Sequence, residues 1–478
     1  MRKTKIVCTL GPATDDENIL RKMIEEGMNV ARFNFSHGNH EEQMERLSSF
    51  RKIRKEVGQP IAALLDTRGP EIRLGKFVDG GTQLVNDQFF ILTPEEIEGD
   101  NNRATVSYQT LCEDISEGCR ILLDDGKIDM VVTEICGADI KCQVLNGGYI
   151  SNRKGVNIPG VRLSLPYISS QDHDDILFGI KNDFDFVAAS FARTASDILE
   201  IRSLLDQNDG KDIKIIAKIE NQEGLDNIEE ILSLSNGIMI ARGDMGVEID
   251  FTEIPIIQKE LISRCYTSGR PAITATQMLD SMMSNPRPTR AEITDVANAV
   301  YDGTSAIMLS GETAAGEYPI ESLQTMVAIA KRTEAAISYD ARFTKSTTHT
   351  EQLTVPAAVA SATISTAMDI RAKAIITVTK SGETARLVSK NRPSIPVFAC
   401  VTTEKVYQQL SLSWGITPIL MKNANNTDDL IKFSVEVTQK AGYIKEGDLV
   451  VITAGVPVGV PGTTNMIETH IVGDERFN

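Results

Sequence analysis

A lysine and two carboxylates form the most reactive grouping in the chain. Lys218 and Glu220 close one short apolar run, and Arg242, Gly243 and Asp244 close the next. Two carboxylates beside a lysine suit a divalent cation, which prefers hard oxygen ligands, together with an anionic substrate. Taken alone, the same residues read equally well as a solvated strand end with ordinary ion pairs. The pattern recurs, however. Arg32, Asn34, Ser36 and His37 end another run, Asp66, Thr67, Glu71 and Arg73 a further one, and Thr276 and Glu312 two more. A single such residue is usually a cap or a structural ion pair; so many are harder to dismiss. The oxygens suit Mg²⁺ or Mn²⁺ and the bases suit phosphate. These residue types imply metal-assisted chemistry on a phosphorylated or carboxylated small molecule. They leave phosphoryl transfer, aldol cleavage and enolization all open.

Such residues must be carried by buried strands. Segments 213–219 and 237–241 are apolar on both faces, the mark of parallel strands in a covered sheet. Between them Leu225, Ile228, Ile231 and Leu232 recur at helical spacing. Similar runs at 5–10, 29–35, 61–65, 185–189, 270–275 and 305–309 alternate with helical stretches. One helix is expected to open on a Thr14-Asp15-Asp16-Glu17 capping box and stop at Gly27, and a charged one to cover 41–57. Eight such strands predict an α/β fold, a (β/α)8 TIM barrel with its site at the C-terminal strand ends. An open doubly wound sheet is the alternative, since periodicity does not show closure.

The rhythm breaks between 74 and 159, where short alternating runs are interrupted by Gly80-Gly81, Asp125-Gly126 and Gly147-Gly148. This predicts an all-β lid domain inserted after strand three, dividing the barrel into 1–73 and 160–345. Residues 346–478, with strands expected at 374–378, 396–400, 448–452 and 469–472, read as a C-terminal open α/β domain. No Walker loop and no G-x-G-x-x-G occurs, so any nucleotide is held by another device.

A net charge of −17 argues against a nucleic-acid partner, although local bases can reverse the sign inside a cleft. The seven cysteines show no Cys-x-x-Cys pair, which predicts reduced thiols, a cytoplasmic protein and no zinc site. No apolar run approaches the roughly 20 residues of a membrane span, so no membrane partner is expected. The basic start reaches Gly11-Pro12 too soon for a signal peptide and reads as the first strand.

Seven segments together resemble the pyruvate kinase family. They are Ala31-Arg32-Phe33-Asn34-Phe35-Ser36-His37-Gly38, Leu65-Asp66-Thr67-Arg68-Gly69-Pro70-Glu71-Ile72-Arg73, Ala217-Lys218-Ile219-Glu220-Asn221 and Ala241-Arg242-Gly243-Asp244. Ala275-Thr276-Gln277-Met278-Leu279, Asn285-Pro286-Arg287-Pro288-Thr289-Arg290-Ala291-Glu292 and Met308-Leu309-Ser310-Gly311-Glu312-Thr313 complete the set. They follow the family's order across the whole barrel, and the lid and C-terminal region match its A, B and C domains. The bacterial type is favoured, because the chain begins almost at strand one.

The resemblance implies transfer of the phosphoryl group of phosphoenolpyruvate to ADP, giving pyruvate and ATP. It implies that Glu220 and Asp244 hold Mg²⁺ or Mn²⁺ and that Lys218 faces the transferring phosphoryl group. Arg32 would grip the phosphate, Gly243 and Asp244 would present backbone to the substrate carboxylate, and Thr276 would sit near the methylene carbon. Asn34, His37, Arg73 and Lys154 would serve the nucleotide. Asn34, Ser36, Asp66 and Thr67 match the family's potassium site, and Glu71 matches members that need K⁺. Arg68 stands where many members have Lys. Thr379, Ser381, Gly382 and Thr384 match a loop that takes an effector phosphate, here a sugar phosphate or a nucleotide. Members are usually homotetramers. Apart from the resemblance, a barrel lyase or aldolase and a silent metabolite-binding protein remain as alternatives. The inserted lid and C-terminal region disfavour the first, and the intact Lys218, Glu220 and Asp244 disfavour the second.

Overall fold

The computed structural model describes residues 1–346, 353–458, 460 and 462–474. The expected start of the third region adjoins 347–352, which lie outside the described residues. Eight strands close a parallel barrel: β1 (Lys5–Thr9), β2 (Val30–Asn34), β3 (Ala62–Asp66), β4 (Phe186–Ala189), β5 (Lys214–Ile219), β6 (Gly237–Ala241), β7 (Ala272–Ala275) and β8 (Ala306–Leu309). Each pairs with its neighbours in sequence, and β8 returns to β1 through Ile6–Ile307 and Val7–Met308. Closure removes the open-sheet alternative. Inside the barrel pack Val7, Val30, Leu64, Ile216, Met239 and Ile273, while a larger core fills the layer between strands and helices. The strands read as apolar on both faces because both faces are covered.

Two local expectations are corrected. The helix Glu17–Glu26 is capped by Asp16, whose side chain accepts from Asn18 N at 2.8 Å, rather than by a box opening at Thr14. Thr14 ends a 3₁₀ turn, and its Oγ1 bonds back to Gly11. The helix expected between β5 and β6 is two pieces, Gln222–Asp226 and Ile228–Leu234. Asn227 breaks it, donating its side-chain amide to Arg193 O at 3.0 Å.

The lid leaves after β3. Its strands Ile72–Arg73 and Gly155–Asn157 pair antiparallel, so the chain departs and returns side by side. Five further strands complete a seven-stranded sheet, and Gly81–Leu84 pairs with Gly148–Ser151 in a separate ribbon. Phe90, Leu92, Ile121, Met130, Ile140 and Val144 belong to a core of the lid's own.

The C-terminal sheet has five strands, one more than expected. In chain order they are β9 (Ala374–Val378), β10 (Val397–Val401), β11 (Ile416–Leu420), β12 (Leu449–Gly455) and β13 (Thr464–Ile471). Strand β11 was hidden by Pro418, which an interior strand would not tolerate. It lies at the sheet edge, where a missing N–H costs no ladder bond. Strand β13 runs antiparallel at the other edge. All seven cysteines are free thiols, and among the described residues no helix is long and apolar enough to cross a membrane.

Candidate active site

The register of β2, β3 and β4 sets Asn34 beside Asp66 and Asp66 beside Ala188, so their polar ends converge on the C-terminal rim. Asp66 is fully buried and shared by two cations. Arg32 Nε donates to its Oδ2 at 2.5 Å, and Lys218 Nζ lies 3.1 Å from its Oδ1. Burial alone would raise the Asp66 pKa, but Arg32 and Lys218 outweigh it and hold the carboxyl below its ordinary value. Lys218 Nζ also donates to Ser190 Oγ at 2.7 Å and lies 3.0 Å from Glu220 Oε1. Burial opposes its charge, yet the two carboxylates win and keep it firmly protonated.

Glu220 is the group left short. Its Oε2 accepts from Phe191 N at 2.6 Å. Its Oε1 has the Lys218 charge nearby but no hydrogen bond, because Nζ lies off the bonding direction. Burial, with Asp244 adding to it against the pull of Lys218, pushes Glu220 up to about 8. A buried carboxylate with a bare oxygen and a second acid close by is short of positive charge. That donor set fits a hard divalent cation. Among the described residues no three His, Cys, Asp or Glu side chains gather as a metal cluster, so protein carboxylates would supply only part of its shell.

Strand β6 passes directly into the helix Arg242–Glu248, placing Asp244 in its first turn. Arg242 ties this turn to β7. It donates to Ala275 O (3.2 Å) and Thr276 O (2.7 Å), and pairs with Asp295 at 2.8 Å. Thr276 and Gln277 both have positive φ, 66° and 52°. For a β-branched residue this is strained, at about 1–3 kcal/mol, and it persists only where the surroundings hold it. Here Arg242 grips the carbonyl, while Thr276 Oγ1 accepts from Gly243 N at 2.7 Å and donates to Ala275 O at 2.6 Å. The Gly243 N–H expected to meet a substrate carboxylate is thus spent on Thr276. A Cβ there would make only ordinary 3.5 Å contacts, so close approach is not what requires glycine.

Between lid and barrel lies a cavity of about 410 Å³, lined by His37, Arg73, Lys154 and Asp244 among others. Arg73 and Lys154 meet where the lid strands pair, with Leu74 N donating to Lys154 O at 2.8 Å. Arg73 is paired with Glu71 at 2.5 Å, and Lys154 with Asp124 at 2.8 Å. Asn34 does not line this cavity; its Oδ1 accepts from Ser36 N at 3.2 Å. Thr67 Oγ1 is engaged with Ala188 O and Ser190 N, whereas Ser36 Oγ has no hydrogen bond among the described residues. Gly69, at φ 82°, has no room for a side chain: a Cβ would lie 2.8 Å from Ser190 Cβ. Asp172 fixes this turn by accepting from Arg68 N (2.9 Å) and Gly69 N (3.2 Å).

Far from the rim, Thr379, Ser381 and Thr384 line a separate cavity of about 130 Å³ in the C-terminal region. Gly382 adopts φ 84°, a left-handed turn that suits glycine, and its N–H donates to Thr379 Oγ1 at 3.0 Å. Thr384 Oγ1 is turned to Thr464 Oγ1 at 2.7 Å.

Sequence reasoning passed over Ser190, which accepts from Lys218 and donates to Thr67 O at 2.6 Å. Its position, first polar residue after β4, was the available signal. It had also left Arg242 as an unassigned rim base, although that side chain sets the geometry of Thr276.

A family model described as pyruvate kinase, barrel domain, matches residues 1–323, and one described as pyruvate kinase, alpha/beta domain, matches 357–470. The chain is 52% identical over 477 residues to the pyruvate kinase of Sporosarcina psychrophila, covering 99% of this chain and 81% of that protein. It is 50% identical over 480 residues to that of Staphylococcus aureus strain MRSA252, covering 100% and 82% respectively. A crystal structure of a pyruvate kinase from Cryptosporidium parvum is similar with a TM-score of 0.93 at 37% identity, over 98% of this chain and 96% of that one.

Proposed function

Because the chain belongs to the pyruvate kinase family, and so transfers the phosphoryl group of phosphoenolpyruvate to ADP in glycolysis, we propose that Lys218, Glu220, Asp244, Arg32 and Thr276 carry that reaction. The observation that carries this reading is the bare, buried Glu220 Oε1 beside Lys218 and near Asp244. Glu220 and Asp244 would hold Mg²⁺ or Mn²⁺; when bound, the ion would supply positive charge to the substrate's carboxylate and enol oxygen. Lys218, kept charged by Asp66 and Glu220, faces the same space and stabilises the phosphoryl group as it leaves the enol oxygen for a β-phosphate oxygen of ADP. Arg32, fixed by Asp66, grips the phosphate. The enolate that remains takes a proton on its methylene carbon, beside Thr276, and becomes pyruvate. His37, Arg73 and Lys154 present the nucleotide from the cleft, with Asn34 behind them. Glu220→Gln should weaken direct Mn²⁺ binding, measured by electron paramagnetic resonance with phosphoenolpyruvate present. Unaltered Mn²⁺ binding would remove Glu220 from the metal site.

Potassium is the second cation in this reading, at Asn34, Ser36, Asp66 and Thr67. Asn34 and Ser36 have oxygen capacity to spare, whereas Asp66 already serves two cations. In the free chain Glu71 is balanced by Arg73. Nucleotide phosphates drawn to Arg73 would dilute that balance, and a monovalent cation restores it.

The loop carrying Thr379, Ser381, Gly382 and Thr384 is the proposed effector site for a sugar phosphate or nucleotide activator. Replacing Ser381 and Thr384 together by alanine should abolish activation and spare basal turnover; activation retained would place the effector elsewhere. We also propose a cytoplasmic homotetramer, for which sedimentation of a monomer at working concentration would be contrary.

A further inference from the structure

A basic cleft lies at the opposite end of the barrel, where it meets the C-terminal region. The loop Gly269-Arg270-Pro271 ahead of β7 forms one wall and the helix Glu383–Lys390 the other. The cleft encloses about 330 Å³ and receives Lys214, Arg270, Arg386 and Lys390, with Glu383 the one acid among its described lining residues. A narrow extension shares Arg270, Arg386 and Lys390 and reaches Arg392 and Trp414. In a chain of net charge −17, five converging cations are out of proportion to their surroundings.

Glu383 is committed to Arg386 at 3.1 Å. Lys214, Arg270 and Lys390 have no carboxylate within ion-pair distance among the described residues. Burial lowers the pKa of Lys214 and Lys390, and for Lys214 the charges of Arg386 and Arg202 add to the effect. Arg392 is 8% exposed and stacked over Trp414, 4.6 Å from the ring centre. Its Nη2 donates to Gly303 O at 2.9 Å and Ser305 Oγ at 3.0 Å, but Nε and Nη1 have no acceptor. Buried guanidinium N–H groups without acceptors are costly, and a native chain that keeps them calls for a partner.

We propose that this cleft binds a small phosphate monoester, with its phosphate between Arg270, Arg386 and Lys390, at the mouth of the extension that leads to Arg392. A planar guanidinium fork and flanking ammonium groups match phosphate oxygens, and the volume is that of a small-molecule site. The site is distinct from the cavity behind Ser381 and Thr384, because the helix Glu383–Lys390 stands between them. It is also connected to that cavity: Arg386 Nη2 donates to Ser381 O at 3.0 Å. A phosphate that draws Arg386 into the cleft takes this bond from the loop.

Trp414 is the chain's single tryptophan and lines the extension beside Arg392, so its fluorescence reports on changes there. The full chain is titrated at constant ionic strength with inorganic phosphate, a hexose 6-phosphate and a nucleoside 5′-monophosphate, the last two each against its unphosphorylated parent. The expected result is a saturable change with a phosphorylated compound and none with its parent. Arg270→Ala combined with Lys390→Ala should raise the half-saturating concentration at least ~10-fold, the scale of one lost charge-assisted hydrogen bond, without altering turnover in the absence of ligand. Ser381→Ala with Thr384→Ala should leave the titration unchanged. Lys214→Ala, away from the buried extension, provides a second variant if the first does not fold by circular dichroism. No saturable change, an unaltered titration in the cleft variants, or a loss confined to the loop variant would each overturn the proposal.

Discussion

The two ends of the barrel handle charge in opposite ways. At the C-terminal rim the cations nearest the reactive grouping are paired: Arg32 has Asp66, Lys218 has Asp66 and Glu220, and Arg242 has Asp295. What is left over there is acid, at Glu220 and Asp244. At the other end the surplus is basic, in Lys214, Arg270, Lys390 and Arg392, and the buried Lys5 ammonium makes a single hydrogen bond among the described residues, to Ile416 O at 2.6 Å. In the reading proposed above, one end would be completed by cations and then by an anionic substrate, and the other by an anion directly. Charge left unbalanced inside a fold marks what it is built to receive.

The strongest way to break this contrast is at Lys218, the cation that rim carboxylates hold in place. Lys218→Met keeps a long apolar stem, so circular dichroism should be unchanged while turnover falls by ~10²–10³, the scale of one lost transition-state contact. Unchanged turnover would make the rim pairing merely structural. A smaller effect is expected from the salt. Replacing potassium by tetramethylammonium at equal ionic strength should lower activity about tenfold or more, equivalent to ~1.4 kcal/mol of transition-state stabilisation. Glu71→Lys should blunt that dependence, and equal rates in the two salts would leave the rim in need of the divalent ion alone.

The smallest effect sharpens the view of the basic end. Burial pushes Lys5 down to about 7, aided by Arg2 and Lys3 and opposed by Glu334. An unfolded lysine titrates near 10.4. Between those values the unfolded chain binds a proton that the folded chain releases, so stability rises with pH across the window. Lys5→Met has no such group. Raising the pH from 7 to 9 should therefore lift the thermal midpoint of the unsubstituted chain by roughly 2–4 °C relative to Lys5→Met. A constant difference between the two would mean that Lys5 keeps its charge when buried.

Much of this was legible beforehand, and the misses share a cause. The barrel strands announced themselves because parallel strands covered on both faces leave continuous apolar runs, and the first polar residues after them marked the rim. Hidden features depended on neighbours remote in sequence. Pro418 is acceptable only because β11 has nothing on its outer side. Asn227 breaks a helix because Arg193 O is within its reach. Ser190 matters because Lys218 and Thr67 meet on it, and Arg242 because it fixes a strained turn at Thr276. The basic cleft was invisible for the same reason: Lys214, Arg270 and Arg392 come from three distant segments, and none stands out alone.

The paired strands at the root of the lid also bear on the order in which the chain acquires its shape. Strands β3 and β4 must join in the barrel across an excursion of more than a hundred residues, and closing so long a loop slows folding. The lid has its own core, and its first and last strands lie against each other. Once it condenses by itself, its ends are stapled together, and the distance along the chain that β3 and β4 must bridge shrinks to residues 67–71 on one side and 158–185 on the other. The lid thereby serves the nascent chain as a clasp, shortening a slow long-range pairing.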